Sequence, residues 1–231
     1  SACLFVLLSF NAKAILEEGS ACWEFDACSS ASGHLFLNNI DADYSNFSNS
    51  NLTIFADSSS FYESNFSFFN GVLNSNYNNF TNANFSNTTI SGHAGPNTDF
   101  TNANFSSANL SNFTFEWSTL NNVIFRNTDF GTMSLEDGMS FGGSDFCGAD
   151  LSSIQINFVY GNPFSGSKYC ESTIFNVGQV EVWQDDETGL MTFTPESYTF
   201  YVDFDPDEFG MIFVSEVPLP AGIYLFLSGL V

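Results

Sequence analysis

The residues best suited to chemistry are carboxylates near the carboxyl end of the chain. Asp203, Asp205 and Asp207 alternate along the sequence and Glu208 follows them, in a spacing that resembles a calcium-binding loop. Such a loop needs a glycine after its third acid to make a sharp turn, and Glu208 stands there instead. We therefore expect a solvated acidic turn and treat the three aspartates only as a weak calcium candidate.

Five cysteines raise two further possibilities, a zinc site and a disulfide framework. No C-x-x-C pair occurs, and the two histidines, His34 and His93, stand apart from one another, so the spacing disfavours zinc. If Cys3 leaves with an amino-terminal leader, an even number of cysteines remains, as is typical of an exported chain. Three pairings are open. We favour the most local one, Cys22–Cys28 with Cys147–Cys170.

No arrangement for catalysis is evident in the sequence. The chain has no Ser-His-Asp spacing and no glycine-rich phosphate loop, and paired carboxylates such as Asp185 and Asp186 fall in predicted turns. Three Lys+Arg against 26 Asp+Glu give a formal charge of -23, which repels nucleic-acid phosphates. We predict a protein that is not an enzyme, uses no cofactor and binds no nucleic acid.

The amino-terminal residues resemble the end of a secretory signal peptide. Ala2 to Phe10 is an apolar run, and Ala12-Lys13-Ala14 supplies a small-x-small cleavage site. We expect residues 1–14 to be removed after Ala14. The alternative is a buried strand at the edge of the domain. The missing Met and basic start suggest that the sequence begins inside the leader.

A period of five residues dominates the middle of the chain. Counting in fives from Phe80 to Leu135, eleven of the twelve positions are Phe, Leu or Ile, and the exception is Gly95. Neither a helix nor a simple strand has this period, and a short fixed repeat indicates a stacked solenoid. The predicted core positions are Phe80, Phe85, Ile90, Phe100, Phe105, Leu110, Phe115, Leu120, Phe125, Phe130, Leu135, Phe146 and Leu151.

These blocks resemble the pentapeptide-repeat proteins. Ala83, Ala103, Ala108 and Ala149 each begin a block of a small residue, Asn or Asp, then Phe or Leu, then two polar residues. The resemblance covers roughly residues 44–156 and implies an all-β fold: a right-handed, four-sided β-helix with one pentapeptide per side. TNANF recurs from Thr81 to Thr101, 20 residues apart, so the two copies are expected on the same side, one coil apart.

Three departures from the period carry expectations of their own. We expect the phase to survive Gly95 and His93 to share the interior, at the level of Phe113 one coil on. After Leu135 the phase slips by one, which predicts a loop near residues 136–138. Before Phe80 the phase is unsettled, so small loops are expected there.

The segment after the repeat predicts a small acidic β module or cap. Residues 161–167 are linker-like, and four alternating stretches separated by turns predict antiparallel strands between residues 180 and 215. The resulting division is leader 1–14, amino-terminal cap 15–43, β-helix 44–160, acidic antiparallel module 161–216 and sorting signal 217–231.

The carboxyl-terminal residues are similar to the VPLPA variant of the PEP-CTERM sorting signals of Gram-negative bacteria. Val217, Pro218, Leu219, Pro220 and Ala221 match the motif, Gly222 replaces its usual second Ala, and Ile223 to Val231 would begin a membrane helix. The basic tail is absent, so we expect truncation here too. The resemblance implies processing by an exosortase and membrane contact only through this signal.

Together these features predict an exported, non-enzymatic structural or interaction protein at the bacterial surface or in the extracellular matrix. Its transient partners would be the secretion machinery and exosortase, and its ligand an extracellular polysaccharide. One alternative is a DNA mimic that inhibits gyrase, as some pentapeptide-repeat proteins do, but residues 44–156 hold only nine acids. Another is a flat face that binds ice or glycan, although Thr81 and Thr101 are followed by Asn121.

Overall fold

The computed structural model describes residues 13–17, 28–135, 139–156, 164–175, 179–184, 198–203, 205–207 and 209–215. These residues form strands and turns and contain no helix. The strands are β1 (Lys13–Glu17), β2 (Ser32–Asn38), β3 (Asn51–Asp57), β4 (Asn70–Asn76), β5 (Thr89–Ala94), β6 (Asn109–Phe115), β7 (Ser134–Leu135), β8 (Gln155–Ile156), β9 (Lys168–Tyr169), β10 (Gln179–Gln184), β11 (Tyr198–Asp203) and β12 (Ile212–Phe213).

The main body is a four-sided parallel β-solenoid. Strands β2 to β6 pair in parallel, each with the equivalent strand one coil on, and β7 pairs in parallel with β8. Single bridges define the other sides. The first side carries the outward column Asp41, Ser60, Asn79, Asp99, Thr119 and Ser140; the second carries Asn46, Asn65, Asn84, Asn104, Ile124 and Asp145.

The third side carries Asn70, Thr89, Asn109, Asp129 and Asp150, and the fourth carries Phe36, Phe55, Asn74, His93 and Thr114. The residues next to each outward residue point inward. Since successive side chains of a strand alternate, the neighbours on both sides of an outward residue fill the interior. The five-residue repeat predicted from the sequence therefore corresponds to one side of the solenoid.

Phenylalanine columns occupy the interior. On the second side Phe47, Phe66, Phe85 and Phe105 stack with ring centroids 4.7 Å apart at each step. On the first side Phe61, Phe80 and Phe100 stack at 4.8 and 5.0 Å. These distances equal the spacing of paired strands, so each buried ring lies on the ring below it. All of these side chains are at most 1% exposed.

Coil length changes along the solenoid, and this resolves the unsettled phase before Phe80. Bridged residues lie 19 apart at Asp41, Ser60 and Asn79, then 20 apart at Asn79, Asp99 and Thr119. The next interval, from Thr119 to Ser140, takes 21 residues, and the extra residue falls between Leu135 and Met139. Residues 136–138, where the sequence predicts a loop, lie outside the described residues.

The solenoid extends past the predicted boundary at residue 160. Phe164 is fully buried and its ring stacks on Phe141 at 5.3 Å, and Lys168 continues the second side from Asp145. The segment expected to be a linker therefore contributes a core residue and a turn.

The predicted antiparallel module is described in part, and its stretch at residues 190–194 lies outside the described residues. β10 pairs antiparallel with β11, as expected. β12 was expected in the same module, but it pairs in parallel with β9 and adds a further level to the solenoid. At the other end β1 pairs antiparallel with β2. Removal of a leader after Ala14 would shorten β1 to Ile15–Glu17.

Candidate interaction surface

Asn and Asp side chains on the outward columns are fixed by the backbone. Oδ1 of Asn46, Asn65, Asn84 and Asn104 accepts a hydrogen bond from the N–H two residues on, at 3.1, 3.0, 3.1 and 2.9 Å. Asp99, Asp129, Asp145 and Asp150 do the same at 2.8, 2.9, 3.0 and 2.9 Å. This Asx turn explains why the repeat uses Asn or Asp at this position.

The turn also decides what the columns present to solvent. Because Oδ1 is held by the backbone, the amide nitrogen of each Asn is left to face outward. One of these groups bonds to the coil below, because Nδ2 of Asn84 donates to Oδ1 of Asn65 at 3.4 Å. At the corner beside this side, Nδ2 of Asn102 donates to Oδ1 of Asn82 at 3.1 Å. The second side is therefore a rigid, uncharged, donor-rich strip from Asn46 to Asn104.

One acid of the third side, Asp150, is stabilised by its neighbour Ser152. A hydrogen bond from the Ser152 hydroxyl, followed by one from the Ser152 N–H, lowers the pKa of Asp150. The single ion pair among the described residues joins Nε of Arg126 to Oδ2 of Asp145 at 2.8 Å, and Arg126 is half-exposed. Such a pair adds little to stability, so the column acids act mainly as acceptors at the surface.

Each corner turn needs one residue in the left-handed region of backbone space. In the described part of the chain sixteen non-glycine residues have positive φ, and eight of them are Asn, which tolerates this conformation. Asn82, Asn102 and Asn122 occupy the same corner in successive coils, with φ of 60°, 61° and 56°. Four others are large aromatic residues, for which the conformation is strained by about 1–2 kcal/mol each: Tyr44, Phe68, Tyr77 and Trp117.

Nearly all the predicted core residues lie in the interior. Those that are at most 2% exposed are Phe80, Phe85, Ile90, Phe100, Phe105, Leu110, Phe115, Leu120, Phe125, Phe130, Phe146 and Leu151. The side chain of Leu135 lies outside the described residues. The small residues two positions before these centres, such as Ala83 and Thr128, are also buried.

The phase survives Gly95 as expected, since Ile90 and Phe100 are both buried, but the expectation for His93 is wrong. His93 pairs with Asn74 and Thr114 on the outward face of the fourth side, whereas Gly92 pairs with Phe113. A bulge between Thr89 and Ser91 shifts the register by one. The interior position predicted at residue 95 is therefore held by Ala94, which is fully buried.

The structure pairs Cys147 with Cys170, with an S–S distance of 2.05 Å. The bond joins equivalent turns of two stacked coils, where the interval between bridged residues Asp145 and Lys168 grows to 23. Cys28 is disulfide-bonded too. Its expected partner, Cys22, lies outside the described residues.

The acidic turn is ordered by contacts with its neighbours. The N–H of Asp207 donates to Oδ1 of Asp205 at 2.9 Å, and the hydroxyl of Tyr169 donates to Oδ1 of Asp207 at 2.7 Å. This bond raises the pKa of Tyr169 to about 12. Among the described residues no cluster of three His, Cys, Asp or Glu side chains could hold a metal ion. The side chains of Asp203 and Glu208 are not among them.

Both predicted targeting segments lie beyond the described side chains. Ala12 and the sorting motif Val217 to Ala221 fall outside the described residues, and Ala14 is described only as part of β1. The described residues contain no helix long and apolar enough to cross a bilayer.

Comparison with known families identifies the repeat in the middle of the chain. Residues 97–132 match the family model for pentapeptide repeats, in eight copies. This segment is a run of pentapeptide repeats. The bridged columns continue the same coil on both sides of the match, from Asp41 to Ile174, so pentapeptide-repeat geometry covers more of the chain than the family match does.

Solved structures of pentapeptide-repeat proteins also align with the chain. HetL from the cyanobacterium Nostoc sp. strain PCC 7120, a protein involved in heterocyst differentiation regulation, is 14% identical over 68% of this chain and 90% of its own, with a TM-score of 0.36. QnrB1, a plasmid-mediated fluoroquinolone resistance protein, is 15% identical over 86% of this chain and 97% of its own, with a TM-score of 0.40. No curated protein matches significantly. At TM-scores this low, the assignment depends on the family match and the coil geometry.

Sequence reasoning found the columns but missed the aromatic corners. Tyr44, Phe68, Tyr77 and Trp117 fall two residues after inward positions, where the repeat usually has Asn or Ser. That departure was visible in the sequence. Its meaning was not, because the left-handed turn at this position becomes apparent only in the structure.

Proposed function

We propose that this protein is exported and acts without catalysis, as a rigid polymer-binding element of the bacterial surface or extracellular matrix. The observation that carries the proposal is the fixed, uncharged amide strip of the second side. Its ligand is an extracellular polysaccharide, whose hydroxyl oxygens accept hydrogen bonds from outward amide nitrogens.

Rigidity favours such binding. Each Asn of the strip is held by an Asx turn, and the backbone beneath it is held by bridges to the coils on either side. Little side-chain freedom remains to be lost when a ligand binds, so weak hydrogen bonds repeated along a polymer add up. A repeating ligand matches a repeating surface.

Export is supported by three features that do not depend on one another. The apolar run before Ala14 resembles a leader, the VPLPA segment resembles a sorting signal, and Cys147 is paired with Cys170. Disulfides persist mainly outside the reducing cytosol. The proposed partners in transit are the secretion machinery and an exosortase.

The test is mass spectrometry of both chain ends, on protein expressed from its complete gene in its own host and recovered fraction by fraction. A chain that starts at Ile15, ends near Pro220 and lies outside the cytoplasm supports the proposal. Such protein should then be retained by extracellular polysaccharide from the same host. An uncleaved cytosolic chain would contradict export, and a gyrase inhibition assay would be the next experiment.

A further inference from the structure

Exposed aromatic residues occupy corner positions that suit Asn better. The side chains of Tyr44, Phe68, Tyr77 and Trp117 are 64%, 57%, 56% and 58% exposed, and each residue has positive φ. Neither packing nor backbone preference accounts for a large ring at such a position. Strained and exposed residues of this kind indicate a function, since the fold gains nothing from them.

Three of the four rings border the first side. Tyr77 and Trp117 lie at the corner where the chain enters that side, and Tyr44 lies at the corner where it leaves. The ring of Tyr62 packs edge-on against Tyr44 with centroids 5.7 Å apart. The first side is therefore a polar strip with aromatic residues along both edges.

Tyr77 and Trp117 lie two coils apart, with Asn97 at the same corner in the coil between them. The N–H of Tyr77 donates to the carbonyl of Pro96, and the N–H of Asn97 donates to the carbonyl of Trp117, so the three corners are stacked in order. Two strand spacings put the aromatic corners ~10 Å apart along the axis. This is about the length of one disaccharide unit in an extended polysaccharide.

The floor between the edges suits sugar hydroxyls. Its outward groups are hydroxyls, an amide and two carboxylates, and it carries no basic side chain: Asp41, Ser60, Asn79, Asp99, Thr119 and Ser140. Oδ1 of Asp99 is already bonded to the N–H and hydroxyl of Thr101, which holds that carboxylate in place. With a chain charge of -23, such a floor repels anionic polymers and leaves uncharged ones.

We infer that the first side binds one extended, uncharged, β-linked hexose polymer parallel to the solenoid axis, with the rings of Tyr77 and Trp117 stacked on alternate sugars. The apolar faces of such sugars pack on aromatic rings, and their equatorial hydroxyls reach the polar floor. This inference rests on the proposed function: it adds the first side to the amide strip of the neighbouring second side and names the class of polysaccharide.

The test replaces each ring by the residue that the turn prefers. Tyr77→Asn and Trp117→Asn copy Asn97, which lies between them in the same corner, so both variants should fold and melt at or above the temperature of the parent. Phe68→Asn is the matched control, since it makes the same change at a different corner. The full chain is titrated with cellohexaose and with soluble β-glucan by calorimetry, and alginate serves as the anionic comparison.

Each ring should contribute about a tenfold change in Kd. We expect Tyr77→Asn and Trp117→Asn to weaken β-glucan binding by that factor, Phe68→Asn to leave it unchanged, and alginate not to bind. If the parent binds host polysaccharide but both variants bind it equally well, the first side is not the site, while the proposed function stands. If the parent binds no polysaccharide, both proposals fail. If the two variants abolish a dimer seen by sedimentation rather than glucan binding, the surface contacts a second copy instead.

Discussion

Between Asp41 and Asn79 each coil takes 19 residues, whereas between Asn79 and Thr119 each takes 20. The Phe column of the second side passes through both regions with the same 4.7 Å step from Phe47 to Phe105. The first and second sides are thus constant, and the change of length is absorbed elsewhere in the coil. The interior columns determine the fold, and the corners adjust to them.

The adjustment lies around the fourth side. In the shorter coils, inward residues of the third and fourth sides are four apart, as at Leu52 and Ala56, and one continuous strand covers both sides. The first 20-residue coil keeps this strand and adds Pro96 after it. Gly95 already donates to the carbonyl of Ser75, and Asn97 already has the positive φ of the corner, so Pro96 is the residue without an equivalent in the coil before.

The largest expected effect comes from cutting the column where the two coil lengths meet. Phe85→Ala removes a fully buried ring that is stacked on Phe66 and Phe105. We expect a loss of about 3–5 kcal/mol in the free energy of unfolding, because a cavity opens in a close-packed stack. Urea unfolding measures it. Phe68→Ala, at an exposed ring, should change stability by no more than about 0.5 kcal/mol.

The longest coils should depend on their disulfide in a way that the shorter coils do not. Replacing Cys147 and Cys170 together by Ser should cost about 2–4 kcal/mol, since the bond closes a 23-residue interval. Thermal melting with and without reductant provides the measurement. A double variant as stable as the oxidised parent would show that packing of Phe164 on Phe141 holds these coils by itself.

A shorter coil should be sensitive to a single methyl group. On the third side a large residue, Phe69, takes the position that is usually small, and Gly71 takes the position that is usually large. A Cβ on Gly71 would collide with the backbone carbonyl oxygen of Leu52. We expect Gly71→Ala to cost about 1–3 kcal/mol by overpacking, measured by urea unfolding.

Gly142→Ala is the control for that variant. Its Cβ would lie 3.2 Å from Oδ1 of Asn121, at the end of a flexible side chain, and at the ordinary contact distances of 3.7 and 3.8 Å from the Ser165 carbonyl and the Ser140 hydroxyl. If Gly71→Ala and Gly142→Ala were equally mild, the close contact between Gly71 and Leu52 would be refuted.

The smallest effect distinguishes two buried threonines. The hydroxyl of Thr128 donates to the carbonyl of Phe105 at 2.8 Å, whereas the buried hydroxyl of Thr98, two residues after Pro96, has no partner. Thr128→Val should cost about 0.5–1.5 kcal/mol, and Thr98→Val should be neutral or stabilising. Calorimetric melting of the two variants side by side checks this, and equal losses would be the contrary result.

The period of five was enough to predict the fold, because it places Phe85, Phe105 and Phe125 on one column without knowledge of any contact. It could not place His93, since a bulge next to Ser91 moved the register. Nor could it predict that β12 joins β9, because 44 residues separate Lys168 from Ile212 and both strands are short. Local pattern determines a coil, whereas distant pairing depends on what the last coil leaves exposed.

For the candidate surface, too, one part could be predicted from the sequence and another part only from the structure. The Asn columns follow from the repeat, but the direction of each amide follows from the Asx turn, as at Asn84. Trp117 stands out in the sequence as an aromatic residue at a polar position. Only the coil geometry places it two coils from Tyr77, with Asn97 at the corner between them.

Two single-residue deletions test most directly whether the columns determine the fold and the corners adjust. Deleting Pro96 turns a 20-residue coil into a 19-residue coil. Phe85 and Phe105 can keep their places in the interior column, because the residue is lost from a different corner. Deleting Thr81, which is equally half-buried, removes the same length from the corner between Phe80 and Phe85. In urea unfolding, the free energy of unfolding of the Pro96 deletion should lie within about 1 kcal/mol of that of the parent. The Thr81 deletion should lose more than about 3 kcal/mol, as much as the loss of a ring from the column. Equal losses in the two variants would contradict the account.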